Sequence, residues 1–231
     1  ALPILNPIVG AYLFPRGNNW DEVRAYEVYD PARKISTQNW QWGEYGLTVQ
    51  NPYWVNYRNL RENSKNRYMV GAQLSYKVLP CLTLSGRVRF DDSYTKATDK
   101  RYAGTLGNLS DNSERGYYGE TNYKEKQIFA DFLASFNKDF SEDWNLQANF
   151  GGSINDMRYE STDIRGGIPD GSENYPGQDA LLTNFFSINN ISRNAPKTWN
   201  MWREQTQSIY ASADLGYKRT YYLTLTGRND W

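Results

Sequence analysis

Histidine is missing from all 231 positions, and cysteine occurs once, at Cys81. Without an imidazole there is no Ser-His-Asp or Cys-His catalysis, and no zinc site with the usual histidine ligands. One thiol excludes an internal disulfide framework. Net charge is lacking as well, because 26 basic side chains balance 26 acidic ones. No basic tract with interleaved aromatics stands in for it, so nucleic acid is not an expected partner. No Walker or Rossmann glycine pattern occurs. No run approaches the ~18 consecutive apolar residues of a spanning helix, and mean hydropathy is −0.80. A helical membrane bundle is thereby excluded. A β-barrel is not, since half of each barrel strand faces water and long loops dilute the average.

What is present is alternation. In Arg67–Val78, the residues Tyr68, Val70, Ala72, Leu74, Tyr76 and Val78 alternate with Arg67, Met69, Gly71, Gln73, Ser75 and Lys77. This period of two marks a strand with one face in an apolar medium and one in a polar medium. Leu82–Asp92 repeats it after Leu79-Pro80-Cys81, with Arg87 and Arg89 on the polar side. A second hairpin is expected from Lys126–Asn137 and Trp144–Asn155, although Phe129 and Leu133 interrupt its polar face. A third is expected from Gln207–Tyr217 and Tyr221–Trp231 around Lys218-Arg219-Thr220, with Asp214 and Arg228 on the polar side. Each strand is about as long as the 9–11 residues that cross a bilayer and longer than the usual 5–6 of a soluble strand.

The expected fold class is therefore all-β: an antiparallel transmembrane β-barrel segment of about six strands in three hairpins, with long extracellular loops. Residues 1–66 read as an extracellular loop region, with short strands at Ile8–Phe14 and Arg24–Tyr29 and turns at Pro15–Asn19 and Asp30-Pro31. Residues 67–231 read as the hairpins, with loops at about 93–124 and 156–206. Short turns alternating with long loops match the asymmetry of outer-membrane barrels. Tyr76, Phe136, Trp144, Tyr217 and Tyr221, on the apolar faces near the short turns, suit an aromatic girdle. A soluble β-sandwich would also alternate, with its apolar faces packed against a second sheet. The chain opens at Ala1-Leu2-Pro3 and stops at Trp231 within a strand-like run, which reads as a piece of something longer.

Three stretches carry a family resemblance: Asn6 to Gly17 (NPIVGAYLFPRG), Gln50-Asn51-Pro52-Tyr53-Trp54, and Tyr222 to Trp231 (YLTLTGRNDW). In order and spacing they resemble the middle of the barrel domain of SusC/RagA TonB-dependent outer-membrane transporters. The resemblance implies a large plugged barrel in the outer membrane of a Gram-negative, Bacteroidetes-like bacterium. It further implies import of oligosaccharides, or of peptides in RagA-like relatives. Implied partners are a SusD-like surface lipoprotein, TonB acting through parts not in this chain, the remaining barrel and plug, and membrane lipid. No counterpart of a TonB box or plug is found among these residues, and no cofactor is implied.

Sugar stacking needs aromatic faces beside hydrogen-bonding side chains. Trp40, Trp42, Tyr53, Trp54, Trp199 and Trp202 meet that description, with Asn39, Asn51, Asn56 and Arg58 near the first four. The plain alternative is that these rings pack loops or a lid protein. Arg87, Arg89, Asp214 and Arg228 are candidate lumen-lining residues. Pro169–Asn174, with Asp179 following, has oxygen donors but not the spacing of an EF-hand, and reads as a polar turn. Asp91-Asp92 cannot flank one glycosidic bond, because adjacent strand residues point to opposite faces. No catalytic residue is expected.

Overall fold

The computed structural model describes residues 6–41, 49–170 and 182–231. Two Asn-Pro pairs start helices. Asn6 accepts the Ile8 amide at 3.0 Å and opens α1, Pro7–Leu13. After a turn at residues 16–18 and α2 (Asp21–Arg24), strands β1 (Glu27–Asp30) and β2 (Ile35–Gln38) form a small antiparallel pair. Asn51 then caps α3, Pro52–Arg58, by accepting the Tyr53 amide at 2.9 Å. Proline at the first helical position loses no hydrogen bond, and a preceding asparagine satisfies an orphan amide. That start signal outweighs the β-branched Ile8-Val9, so the strand expected over Ile8–Phe14 is a helix instead.

The rest is one six-stranded antiparallel sheet in simple meander order. Its strands are β3 (Asn59–Leu79), β4 (Leu82–Arg101), β5 (Tyr117–Asp139), β6 (Trp144–Gly167), β7 (Lys197–Tyr217) and β8 (Tyr221–Asp230). The short turns fall where the alternation predicts them. The far ends of the strands do not: β4 runs to Arg101, β5 starts at Tyr117, β6 runs to Gly167 and β7 starts at Lys197. Much of 93–124 and 156–206 is therefore strand, not loop. Aliphatic residues are sparse on both faces of these extensions, so period-two hydrophobicity vanishes while the ladder continues. Cross-strand pairs hold it: Lys96–Glu120 at 3.0 Å, Lys100–Glu62 at 2.9 Å and Thr121–Asp163 at 2.8 Å.

The chain divides into two compact units. One, the loop unit, comprises residues 1–64, 95–122 and 162–199. Its core includes Val23, Trp54, Val55, Leu109, Tyr117, Tyr118, Ile168 and Ile191, all buried. Asn51, fully buried, ties its pieces together by donating to the carbonyls of Val23 (2.9 Å) and Asn39 (3.1 Å). Gly10 lets α1 approach α3, because a Cβ there would stand 2.6 Å from the Gln50 carbonyl oxygen.

The other, the hairpin unit, comprises residues 65–94, 123–161 and 200–231. Among the described residues it buries no hydrophobic side chain. Leu74 is 75 % exposed, Leu225 62 % and Phe132 46 %, while Leu84 and Leu146 are half-buried. Toward the short turns one face thus carries leucine, valine and aromatic side chains and the opposite face ion pairs, while farther from the turns Lys126–Asp92 and Arg203–Asp156 also pair on the first face. The first is called here the leucine face and the opposite one the polar face. No second sheet covers the leucine face among the described residues, which removes the geometry a sandwich requires. No described helix is long and apolar enough to cross a membrane, a fact that says nothing about strands.

Candidate functional site

The polar face of the hairpin unit is built from residues two apart on each strand. Arg67 on β3 forms a bidentate pair with Asp91 on β4, at 2.9 and 2.6 Å. Next to it Ser93 donates to Glu125 at 3.0 Å, and the Lys65 ammonium lies 3.7 Å from the same carboxylate. Gln127 on β5 donates to Asn155 on β6 at 2.7 Å. Planar guanidinium–carboxylate pairing fixes both side chains, so it orders the wall more than it stabilises the fold.

An aromatic strip borders these charges. Tyr123, Tyr159 and Trp202 sit on neighbouring strands β5, β6 and β7, with ring centroids 6.3 and 5.7 Å apart. The Tyr159 and Trp202 rings are stacked nearly parallel, at 22°. With Lys65, Arg67, Asp91, Ser93, Glu125 and Gln127, these last two rings line a groove of about 250 Å³. Chemically the groove offers what a polar oligomer needs: flat apolar rings for C–H faces, and both donors and acceptors for hydroxyls or amides.

The residues singled out by sequence divide as follows. Trp202 is in the groove. Trp199 is three positions earlier on β7, an odd spacing that gives it the opposite face, and it is 59 % exposed. Trp54 is fully buried, its Nε1 donating to Thr105 at 3.0 Å, so no face remains for a sugar: it is a packing anchor. Tyr53 is half-buried in a cluster with Trp20, Tyr26 and Tyr57. Hydrogen bonds from Trp20 and Arg24 hold its phenol below the ordinary tyrosine range. Trp40 is half-buried near β2, and Trp42 lies outside the described residues, as do Gly171–Asn174 and Asp179.

Arg87 and Arg89 share the polar face and both stack over Phe129, at 5.4 and 5.7 Å from its centroid. Phe129, which interrupts the polar pattern in sequence, is therefore their platform. Arg87 also pairs with Asp131, whereas Arg89 makes no ion pair among the described residues. Asp214 accepts from Thr224 at 2.5 Å, and Arg228 pairs with Asp230 at 2.9 Å. Tyr123 and Tyr159 escape sequence reading because they fall in stretches without apolar periodicity, and only the register brings them beside Trp202.

No family model matches the sequence, and no curated protein matches it. Solved structures do. The chain is similar to the RagAB peptide importer in its closed-closed state, with a TM-score of 0.61 and 17 % identity over 83 % of this chain and 20 % of that one. A further structure of the RagAB peptide transporter gives a TM-score of 0.62 at 17 % identity, over 81 % of this chain and 20 % of that one. The open-open state of the importer gives 0.60 at 16 % identity, with coverages of 81 % and 20 %. The chain thus spans about a fifth of the length of the chains it matches. What the likeness carries at this identity is the fold, an antiparallel wall of long strands.

Proposed function

We propose that this chain is part of the barrel wall of a SusC/RagA-type, TonB-dependent importer in the outer membrane of a Gram-negative bacterium. It works by binding and passage, with no covalent step. A SusD-like lipoprotein and TonB are the partners this reading requires, TonB acting through parts outside this chain. One observation carries the proposal: the hairpin unit buries polar Asp91, Ser93 and Ser208 on one face while leaving Leu74, Leu225 and Phe132 open on the other. Side chains arranged this way suit hydrocarbon on one side and an aqueous lumen on the other.

The cargo is an oligosaccharide, gripped by the Tyr159–Trp202 strip and the charged groups around it. Peptide cargo is the second reading, favoured by the solved structures that the chain resembles, which are of a peptide importer. The membrane reading is tested by nitroxide labels on the full-length transporter in bilayers, in a Cys81→Ser background. Labels at Leu74 and Leu225 are expected to meet dissolved oxygen, and labels at Gln73 and Thr224 a water-soluble nickel chelate. The same accessibility on both faces sinks it. Cargo is read from uptake of labelled oligosaccharides and labelled peptides by cells carrying the transporter and its lipoprotein. Trp202→Ala is expected to reduce oligosaccharide uptake, and a loss confined to peptides transfers the site to the second reading.

A further inference from the structure

Most cations of the hairpin unit pair with an acid: Lys65, Arg67, Arg87, Lys126, Arg203 and Arg228 all do. Among the described residues Lys77, Arg89, Lys138, Lys218 and Arg219 do not; Arg89 stacks on Phe129 in mid-strand, and the other four lie in or beside a short turn. Two of these, Lys138 and Lys218, belong to a row on the leucine face. Trp144 lies across from Phe140, whose amide donates to the Trp144 carbonyl (2.9 Å), and Lys138 joins the row through the Phe140 ring. Trp144 packs tilted against Tyr217, with centroids 4.5 Å apart, and Tyr217 faces Tyr221 at 6.5 Å. The Lys218 ammonium stands 5.3 Å from the Tyr217 centroid, and the Lys138 ammonium 5.5 Å from that of Phe140.

Acids are present at this end but on the other side. Asp139, Glu142 and Asp143 line a recess with Asn145, Arg219, Tyr222 and one edge of Trp144, and Asn145 donates to Asp139 at 2.6 Å. The residues Asp139, Asn145 and Tyr222 alternate with Lys138, Trp144 and Tyr221, so the recess opens on the polar face. The three carboxylates, with Arg219 among them, are thus turned one way and the two ammonium groups the other, over a floor of exposed rings.

We propose that the Lys138–Trp144–Tyr217–Lys218 row binds the phosphate of an anionic glycerophospholipid. The rings accept the glycerol and upper acyl region, as interfacial aromatics do, while the two ammonium groups reach the phosphate from either end. The site rests on the reading that the leucine face meets lipid. The occupant is a lipid, not a free anion, because the cations are held against apolar rings on a face whose neighbouring side chains are leucines and phenylalanines.

The test is native mass spectrometry of the full-length transporter in detergent, with phosphatidylglycerol and phosphatidylcholine added in equal amounts. Two surface cations predict retention of phosphatidylglycerol on the order of tenfold over phosphatidylcholine. The Lys138→Gln/Lys218→Gln double variant is expected to lose that preference. Lys77→Gln, on the polar face, is expected to keep it. Equal retention of the two lipids, or a preference that survives the double variant, overturns the proposal. The nitroxide labels at Leu74 and Leu225 separate the two failures. Oxygen-exposed labels without lipid preference remove only this site, and water-exposed labels remove the membrane reading with it.

Discussion

The loop unit and the hairpin unit solve opposite problems with similar residues. In the loop unit Val23, Trp54 and Ile168 are wholly buried, and side-chain amides such as Asn51 close the backbone hydrogen bonds. It is built as a water-soluble domain is, with apolar groups withdrawn from solvent. In the hairpin unit that order is reversed. The contrast teaches that its apolar residues have another partner, for a sheet with only one layer cannot hide leucine from water by itself.

The largest effect expected from this contrast is local. Trp54→Ala removes a fully buried ring and orphans the Thr105 contact, at a cost of about 3–5 kcal/mol. Hydrogen exchange is expected to rise in the loop unit, while the amides of the turn-proximal hairpins keep their protection. Uniform loss of protection across both units breaks the comparison.

A somewhat smaller effect is expected from a charge on the leucine face. Leu225→Arg is predicted to destabilise the protein folded in lipid vesicles by roughly 2–4 kcal/mol. Thr226→Arg, one residue on and facing the other way opposite Ser212, is predicted to change it by no more than about 0.5 kcal/mol. Denaturant titration of both variants measures the difference. Equal effects would mean that the two faces see the same medium.

The two units also differ in their response to alkali. Burial, with a hydrogen bond to Glu120, pushes the Tyr118 phenol in the loop unit from 10.0 up to about 12. A raised tyrosine pKa means that the folded state favours the neutral phenol. Its contribution is therefore complete below pH 10.0 and is lost as pH rises through about 12. Tyrosinate absorbance followed alongside hydrogen exchange is expected to show the loop unit opening in this window, and Tyr118→Phe to abolish that dependence. An unchanged alkaline transition in the variant would assign it to another group.

How far the sequence was legible follows the same division. The hairpin ends were readable because one medium on each side imposes period two, and the turns at Pro80-Cys81 and Lys218–Thr220 interrupt it cleanly. The strand extensions were not, since Lys96, Thr98 and Lys100 look like loop residues until Glu62 and Glu120 stand opposite them. The helices did leave a signal, the Asn6-Pro7 and Asn51-Pro52 pairs, but aromatic and β-branched neighbours masked it. Of the candidate site, Arg87, Arg89 and Trp202 were visible as residue types on plausible positions. Tyr159 became a neighbour of Trp202 only through a register that no local pattern encodes.

The smallest effect concerns the turn that carries Lys218. Thr220 donates its amide to the Tyr217 carbonyl, and both residues between them have positive φ, 50° at Lys218 and 54° at Arg219. Side chains with a Cβ are disfavoured in that region, and a tight hairpin turn of this kind prefers Asn-Gly. Lys218→Asn with Arg219→Gly is therefore predicted to stabilise the β7–β8 hairpin by about 1 kcal/mol. Hydrogen exchange at the amides of Leu215 and Leu223, which face each other across that hairpin, measures the gain. A unit that buries no apolar core of its own has every reason to use the favoured turn. Retaining two strained cations instead implies that their charge matters at that end, so the stabilised variant is expected to lose phosphatidylglycerol preference in the same preparation. A variant that gains stability and keeps its lipid would leave the strained turn without a purpose in lipid binding.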